Sequence, residues 1–179
     1  MAELKDSGSR RDFGTGAVRD VAEGKGRFDL VPLDVVGYWL RSEPYQYIEQ
    51  FKLTNEVDFL YASLDSFIEE WKEMGEDTNI AKYRYLMGVA KVYEDGARKY
   101  DDNNWKKGIP VKVFLDSGPR HYDKWKQDIT DEPHEYMFGW NIIGAIWTFK
   151  HHPELNEYRP ITEQTGQDNK FKIESEDKL

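Results

Sequence analysis

The chain has no cysteine among its 179 residues. Disulfides, thiolate metal sites and cysteine nucleophiles are therefore excluded, and the redox compartment cannot be read. No apolar run approaches the roughly 20 residues of a membrane-spanning helix, and the opening MAELKDSGSRRDFGTG is polar and unlike a signal peptide. A membrane is thus not an expected partner, and a cytoplasmic location is expected. Positive charge is in deficit, with 25 Lys and Arg against 34 Asp and Glu and a net −9. Gripping nucleic acid through its phosphates needs a net basic face, so nucleic acid is not an expected partner either. An acidic protein can still hold a small polyanion when a divalent cation bridges the two. Familiar motifs are missing as well. AEGKGRF lacks the earlier glycine and the following Ser or Thr of a phosphate-binding loop, and no serine sits in a nucleophile elbow. His121 follows Arg120 without the adjacent Asp of a His-Asp metal dyad. Period-two alternation and internal repeats are absent.

What is present suffices for one core, since 39% of residues are hydrophobic and 15% aromatic. Residues 1–27, rich in Gly, Arg, Asp and Lys, read as an extended arm whose GTGAVRDVAEGKGRFDLVP is too regular in glycine and cation placement for a mere linker. A short helix is expected to begin after Pro32. Val57, Leu60, Tyr61, Leu64, Phe67, Ile68 and Trp71 have the spacing of an amphipathic helix over about 56–74, with Glu69, Glu70 and Glu73 on its solvated face. A further helix is expected over about 80–100, with Tyr83, Met87, Ala90, Tyr93 and Ala97 as its inward stripe and Glu94 on that same face. Residues 101–119 carry loop signals, and a short helix is expected over 120–126. After PHEY comes a helix to about residue 150, apolar nearly all round, as a central helix is. Asn141 lies on its face with His134, Phe138 and Ala145. The class expected is all-α, with one domain over 28–153 and a polar tail over 154–179.

Carboxylates gather twice, at Glu94 with Asp95 and at Asp128, Asp131, Glu132 and Glu135. Acids at the mouth of one helix facing an acid on another are how helical bundles build oxygen-lined sites for magnesium or manganese. Asp131 and Glu132 also complement a helix N-terminus, with Pro133 at the first turn.

Four stretches in order, GAVRDVAEGKGRFDLVP, VYEDGARKYDDNNWKKGIP, DSGPRHYDKW and DEPHEYMFGWNIIGA, resemble the phage and bacterial dATP/dGTP diphosphohydrolase family related to the MazG-like nucleotide pyrophosphohydrolases. The resemblance covers 14–40 and about 89–147 and leaves 41–82 as an inserted helical element. It implies a MazG-like helical bundle, usually a dimer or tetramer, that hydrolyses a purine deoxynucleoside triphosphate to monophosphate and pyrophosphate with Mg2+ or Mn2+. By resemblance, Glu94, Asp131 and Glu132 hold metal, with Glu94 or Glu132 also orienting water, and Glu135 is a further ligand. Lys25, Arg27, Lys99 and Arg120 meet phosphates, Asn104 and Trp105 frame the base, and His134 and Asn141 complete the substrate site. One position departs from the family, which tends to read DEDH where this chain has Asp131, Glu132, Pro133 and His134. Two other functions fit the same residues: hydrolysis of a pyrimidine or modified nucleotide, and a helical interaction protein without catalysis.

Overall fold

The computed structural model describes residues 9–20, 28–31 and 33–160. Among them are six α-helices and one small two-stranded sheet, so the chain is all-α. The sheet is a hairpin of β1 (Arg10–Asp12) and β2 (Val18–Asp20), pairing Arg10 with Asp20 and Asp12 with Val18. Three-residue strands are too short for alternation to reveal. Their signal is the turn, where Gly14 and Gly16 hold φ at +73° and +84°, conformations that glycine adopts without a Cβ penalty.

The helices are α1 (Leu33–Leu40), α2 (Glu43–Thr54), α3 (Asp58–Trp71), α4 (Thr78–Tyr100), α5 (Val111–Lys126) and α6 (His134–His151). Pro44 in the first turn starts α2, and Asn55 in the left-handed region ends it. Asp77 caps α4, its carboxylate accepting from the backbone N–H groups of Asn79 and Ile80 at 3.0 and 3.2 Å. α5 is far longer than the segment expected over 120–126. It starts directly after Pro110 and runs through Pro119. Proline removes one N–H from the helical ladder, yet here the breaker signal loses to packing. Gly118 lies against Asn141 and Ile142, and the Tyr45 hydroxyl donates to the Pro119 carbonyl at 3.0 Å.

α5 and α6 form an antiparallel pair, with Phe114 against Gly144 near one end and Tyr122 against Phe138 further along. Phe67 of α3, fully buried, joins the layers by touching Tyr85 of α4, Tyr122 and Trp125 of α5 and Phe138 of α6. α4 runs in the same direction as α6, from Gly88 against Tyr136 to the Trp105–Trp147 contact beyond its end.

The inward face of α4 differs from the expected one. Ala81, Tyr85, Gly88, Val89 and Val92 are buried, whereas Tyr83 and Met87 are 75% and 74% exposed. The helix carries two apolar stripes, and hydrophobic spacing alone cannot say which one a core covers. As a consequence Glu94 is exposed and ion-paired with Lys91 and Arg98, while its neighbour Asp95 is the more buried acid at 11% side-chain exposure.

Close approach of α4 to α6 depends on glycine. The Tyr85 hydroxyl donates to the Glu135 carbonyl and accepts from the Gly139 N–H at 3.0 Å, and a Cβ at Gly139 would lie 2.5 Å from that hydroxyl. Gly139→Ala is therefore expected to destabilise the chain by about 1–3 kcal/mol through overpacking, which denaturant unfolding measures.

Candidate functional site

Polar groups inside this apolar frame gather along one seam between α5, α6 and the hairpin. At the mouth of α6, His134 is fully buried and His121 is 9% exposed. Their Nδ1 atoms lie 2.9 Å apart, and His134 Nε2 lies 2.6 Å from Asp131 Oδ1. A carboxylate only accepts, so His134 carries its proton on Nε2. The two facing Nδ1 atoms then share one hydrogen bond. Burial first, then the charges of His134, Arg19, Arg120 and Lys124, push the His121 pKa well below its usual value, so the ring is neutral at neutral pH. Half-buried Glu132 completes the group: one ligand atom each from His121, Glu132 and His134 all lie within 4.8 Å of one another. Two imidazole nitrogens and a carboxylate oxygen are a donor set that fits a divalent cation.

Further along the seam the chemistry turns toward anions. Arg120 pairs with Asp116 at 2.5 Å, their side chains 11% and 10% exposed. Arg19 of β2 sends its guanidinium between the helices, donating to Asn141 Oδ1 at 2.7 Å and to the Val113 carbonyl at 3.3 Å. It lies over the rings of Phe114 and Trp140, 5.5 and 5.2 Å from their centroids. Burial, then the charge of Arg120, lowers its pKa to about 10, leaving it protonated at neutral pH. Two enclosed guanidinium groups acting on one another mark the region as anion-seeking.

Asp20 anchors the other side of the hairpin, accepting from Lys99 at 2.8 Å and Tyr100 at 2.7 Å. Burial raises its pKa, but those two hydrogen bonds and the charges of Lys99 and Arg10 outweigh it and hold the carboxyl below its usual range. A depressed folded pKa gives stability that is complete above the unfolded value of about 3.9 and is lost as pH falls through the folded one. Limited proteolysis should therefore find the hairpin of Asp20→Asn more susceptible than wild type at pH 7, with the difference closing as pH falls below about 4.

A cleft of about 330 Å³ opens beside the C-terminal end of α4, lined by Tyr93, Glu94, Tyr100, Trp105 and Trp140 among others. Trp140 connects it to the seam through Arg19.

The residues singled out from sequence divide accordingly. Asp131, Glu132 and His134 come together at the α6 mouth, joined by His121, whose role sequence reading had set aside. Glu135 lies in the first turn of α6, its carbonyl engaged by Tyr85. Glu94 is not brought to these acids. It sits on the rim of the cleft, exposed and paired with Lys91 and Arg98. The acids expected to face one another are thus kept apart because α4 turns its other stripe inward, and the group gathered at the α6 mouth includes two histidines. Lys99 and Arg120 are held by Asp20 and Asp116. Asn104 is committed to the hairpin, its Oδ1 accepting from the Val18 N–H at 3.2 Å and its Nδ2 donating to the Val18 carbonyl at 2.9 Å. Asn141, fully buried, accepts from Arg19 and donates to the Met137 carbonyl at 2.7 Å. Trp105 faces the cleft and packs edge-on against Trp147. Lys25 and Arg27 lie outside the described residues. Sequence reading missed Arg19, although GAVRD places an arginine directly after a turn.

The fold is all-α, and its seam sets a group able to hold a cation beside two enclosed guanidinium groups. Residues 70–158, just under half of the chain, match the family described as dATP/dGTP diphosphohydrolase, N-terminal. The name denotes a hydrolase, with a nucleotide as the implied substrate class. The match takes in 70–82, expected to lie within an insertion, and does not include 14–40. No curated protein and no solved structure matches the chain. Among the described residues, no helix is long and apolar enough to cross a membrane.

Proposed function

We propose that the chain hydrolyses purine deoxynucleoside triphosphates, dATP and dGTP, to monophosphate and pyrophosphate with a divalent cation at the α6 mouth. The observation that carries this reading is the adjacency, on one seam, of the His121–Glu132–His134 group and the guanidinium groups of Arg19 and Arg120. A polyphosphate needs both kinds of group together. When bound, the cation neutralises phosphate charge and makes water a stronger nucleophile. Glu132 supplies negative charge to hold it, and Asp131 fixes the orientation of His134. Arg120 and Lys99 meet the phosphate chain, with Arg offering a two-pronged fork to its oxygens. The aromatic cleft at Trp105 and Trp140 receives the base by stacking. Glu94, on the rim, orients the nucleoside end.

A second copy of the chain is the proposed cover for the outer stripe of α4, where Ile80, Tyr83, Leu86 and Met87 are 63%, 75%, 52% and 74% exposed. A run of this kind along one helix marks an interaction face.

A hydrolysis screen of the four common deoxynucleoside triphosphates, with magnesium and with manganese, tests the reading. Turnover of dATP or dGTP well above the pyrimidines is expected. Preference for a pyrimidine would leave the chemistry and overturn the base assignment, and turnover of none would favour a non-catalytic scaffold.

A further inference from the structure

We propose that His121 and His134 bind the cation directly through their facing Nδ1 atoms, with Glu132 as third ligand, making a mixed nitrogen and oxygen centre that prefers a first-row transition metal to magnesium. The cation's catalytic use rests on the function proposed above, whereas the ligand geometry stands on its own.

Two imidazoles meet through the same ring nitrogen, 2.9 Å apart and sharing one proton, inside an apolar frame. A cation in place of that proton, at the ~2.1 Å typical of imidazole coordination, requires the two atoms to part by only about half an ångström. Asp131, 2.6 Å from His134 Nε2, already fixes the tautomer that leaves Nδ1 available. A carboxylate behind a ligating histidine does the same in established metal centres, orienting the ring and raising its basicity. Glu132 brings the negative charge that imidazole ligands do not supply. Magnesium demands near-octahedral oxygen ligation and parts with water reluctantly, so two ring nitrogens suit it poorly. Manganese, cobalt and zinc accept imidazole readily, in rising order of affinity except that cobalt and zinc lie close.

The sequence carries the signature, though not as a known motif: Arg120-His121 near the end of one helix and His134 at the start of the next, thirteen residues on. The antiparallel turn between α5 and α6 is what brings them together.

Cobalt(II) titration of the metal-stripped full chain, followed by visible absorption, tests the proposal. Intense d–d bands of a low-coordinate, nitrogen-containing site are expected at micromolar cobalt. A rise in melting temperature should accompany zinc, cobalt or manganese and be much smaller with magnesium at equal concentration. His121→Asn should abolish the bands, and Glu69→Gln, a change on an exposed face, should leave them intact. The wild-type spectrum decides even if His121→Asn fails to fold: weak octahedral bands, or no binding below millimolar cobalt, overturn the proposal. Assaying dGTP hydrolysis with magnesium on the same preparation separates the two readings. Hydrolysis without the bands removes the histidine centre and leaves the function, whereas the bands without hydrolysis by any metal do the reverse.

Discussion

Glu132→Gln is expected to lower kcat for deoxynucleoside triphosphate hydrolysis by about two orders of magnitude or more, with a much smaller change in melting temperature. Glutamine keeps the volume and one acceptor oxygen of the side chain but removes its charge. In the His121–Glu132–His134 group that charge is the only anion. Losing it weakens the hold on a cation and leaves the phosphate charge unneutralised at the moment of bond breaking. Asp131→Asn should be milder, about tenfold to a hundredfold, because it acts through the orientation of His134. Steady-state kinetics at saturating manganese measures both. A Glu132→Gln enzyme within a factor of about ten of wild type would remove Glu132 from the centre.

Arg19→Ala is expected to produce the largest loss of stability of any single change in the hairpin, about 3 kcal/mol, from its charged hydrogen bonds and ring contacts. At the chain's length this corresponds to a fall of roughly 10 °C in melting temperature. Its guanidinium bonds Asn141 and the Val113 carbonyl at once while lying over Phe114 and Trp140. Without it, Asn141 Oδ1 in the middle of α6 loses its charged donor, and β2 loses the arm that pins it to α5 and α6. Lysine keeps the charge but has one point donor for two acceptors set apart, so Arg19→Lys should recover less than half of the loss. The affected face also lines the way from the seam to the cleft, so the Michaelis constant for the triphosphate should rise in both variants. A melting temperature within about 2 °C of wild type for Arg19→Ala would show that the hairpin contributes little to the fold.

The fold was legible where one signal dominated. α6 is apolar nearly all round and admits only a central position, and α3 shows a single stripe. α4 was legible in extent but not in orientation, because Tyr83 and Met87 on one side compete with Tyr85 and Val89 on the other. Which stripe is buried depends on Tyr136 and Gly139, residues some fifty positions away, and the choice decides whether Glu94 or Asp95 faces inward. α5 was hidden by Gly118 and Pro119, whose local preference is overridden by α6 and Tyr45. The candidate site shows the same division. Clustered acids at DEPHE drew attention to the mouth of α6, yet the pairing of His121 with His134 arises only from the turn that folds α5 onto α6. The place of Arg19 was not legible because a cation in a glycine-rich arm resembles its neighbours until the helices close around it.

The proposed reaction breaks the bond between the α and β phosphates. Phosphorus NMR of the products formed from dGTP in ¹⁸O-enriched water tests it most directly. The account predicts deoxyguanosine monophosphate and pyrophosphate in equal amounts, with the label in the product set by which phosphorus water attacks. Orthophosphate with the diphosphate, or tripolyphosphate with the free nucleoside, would contradict it.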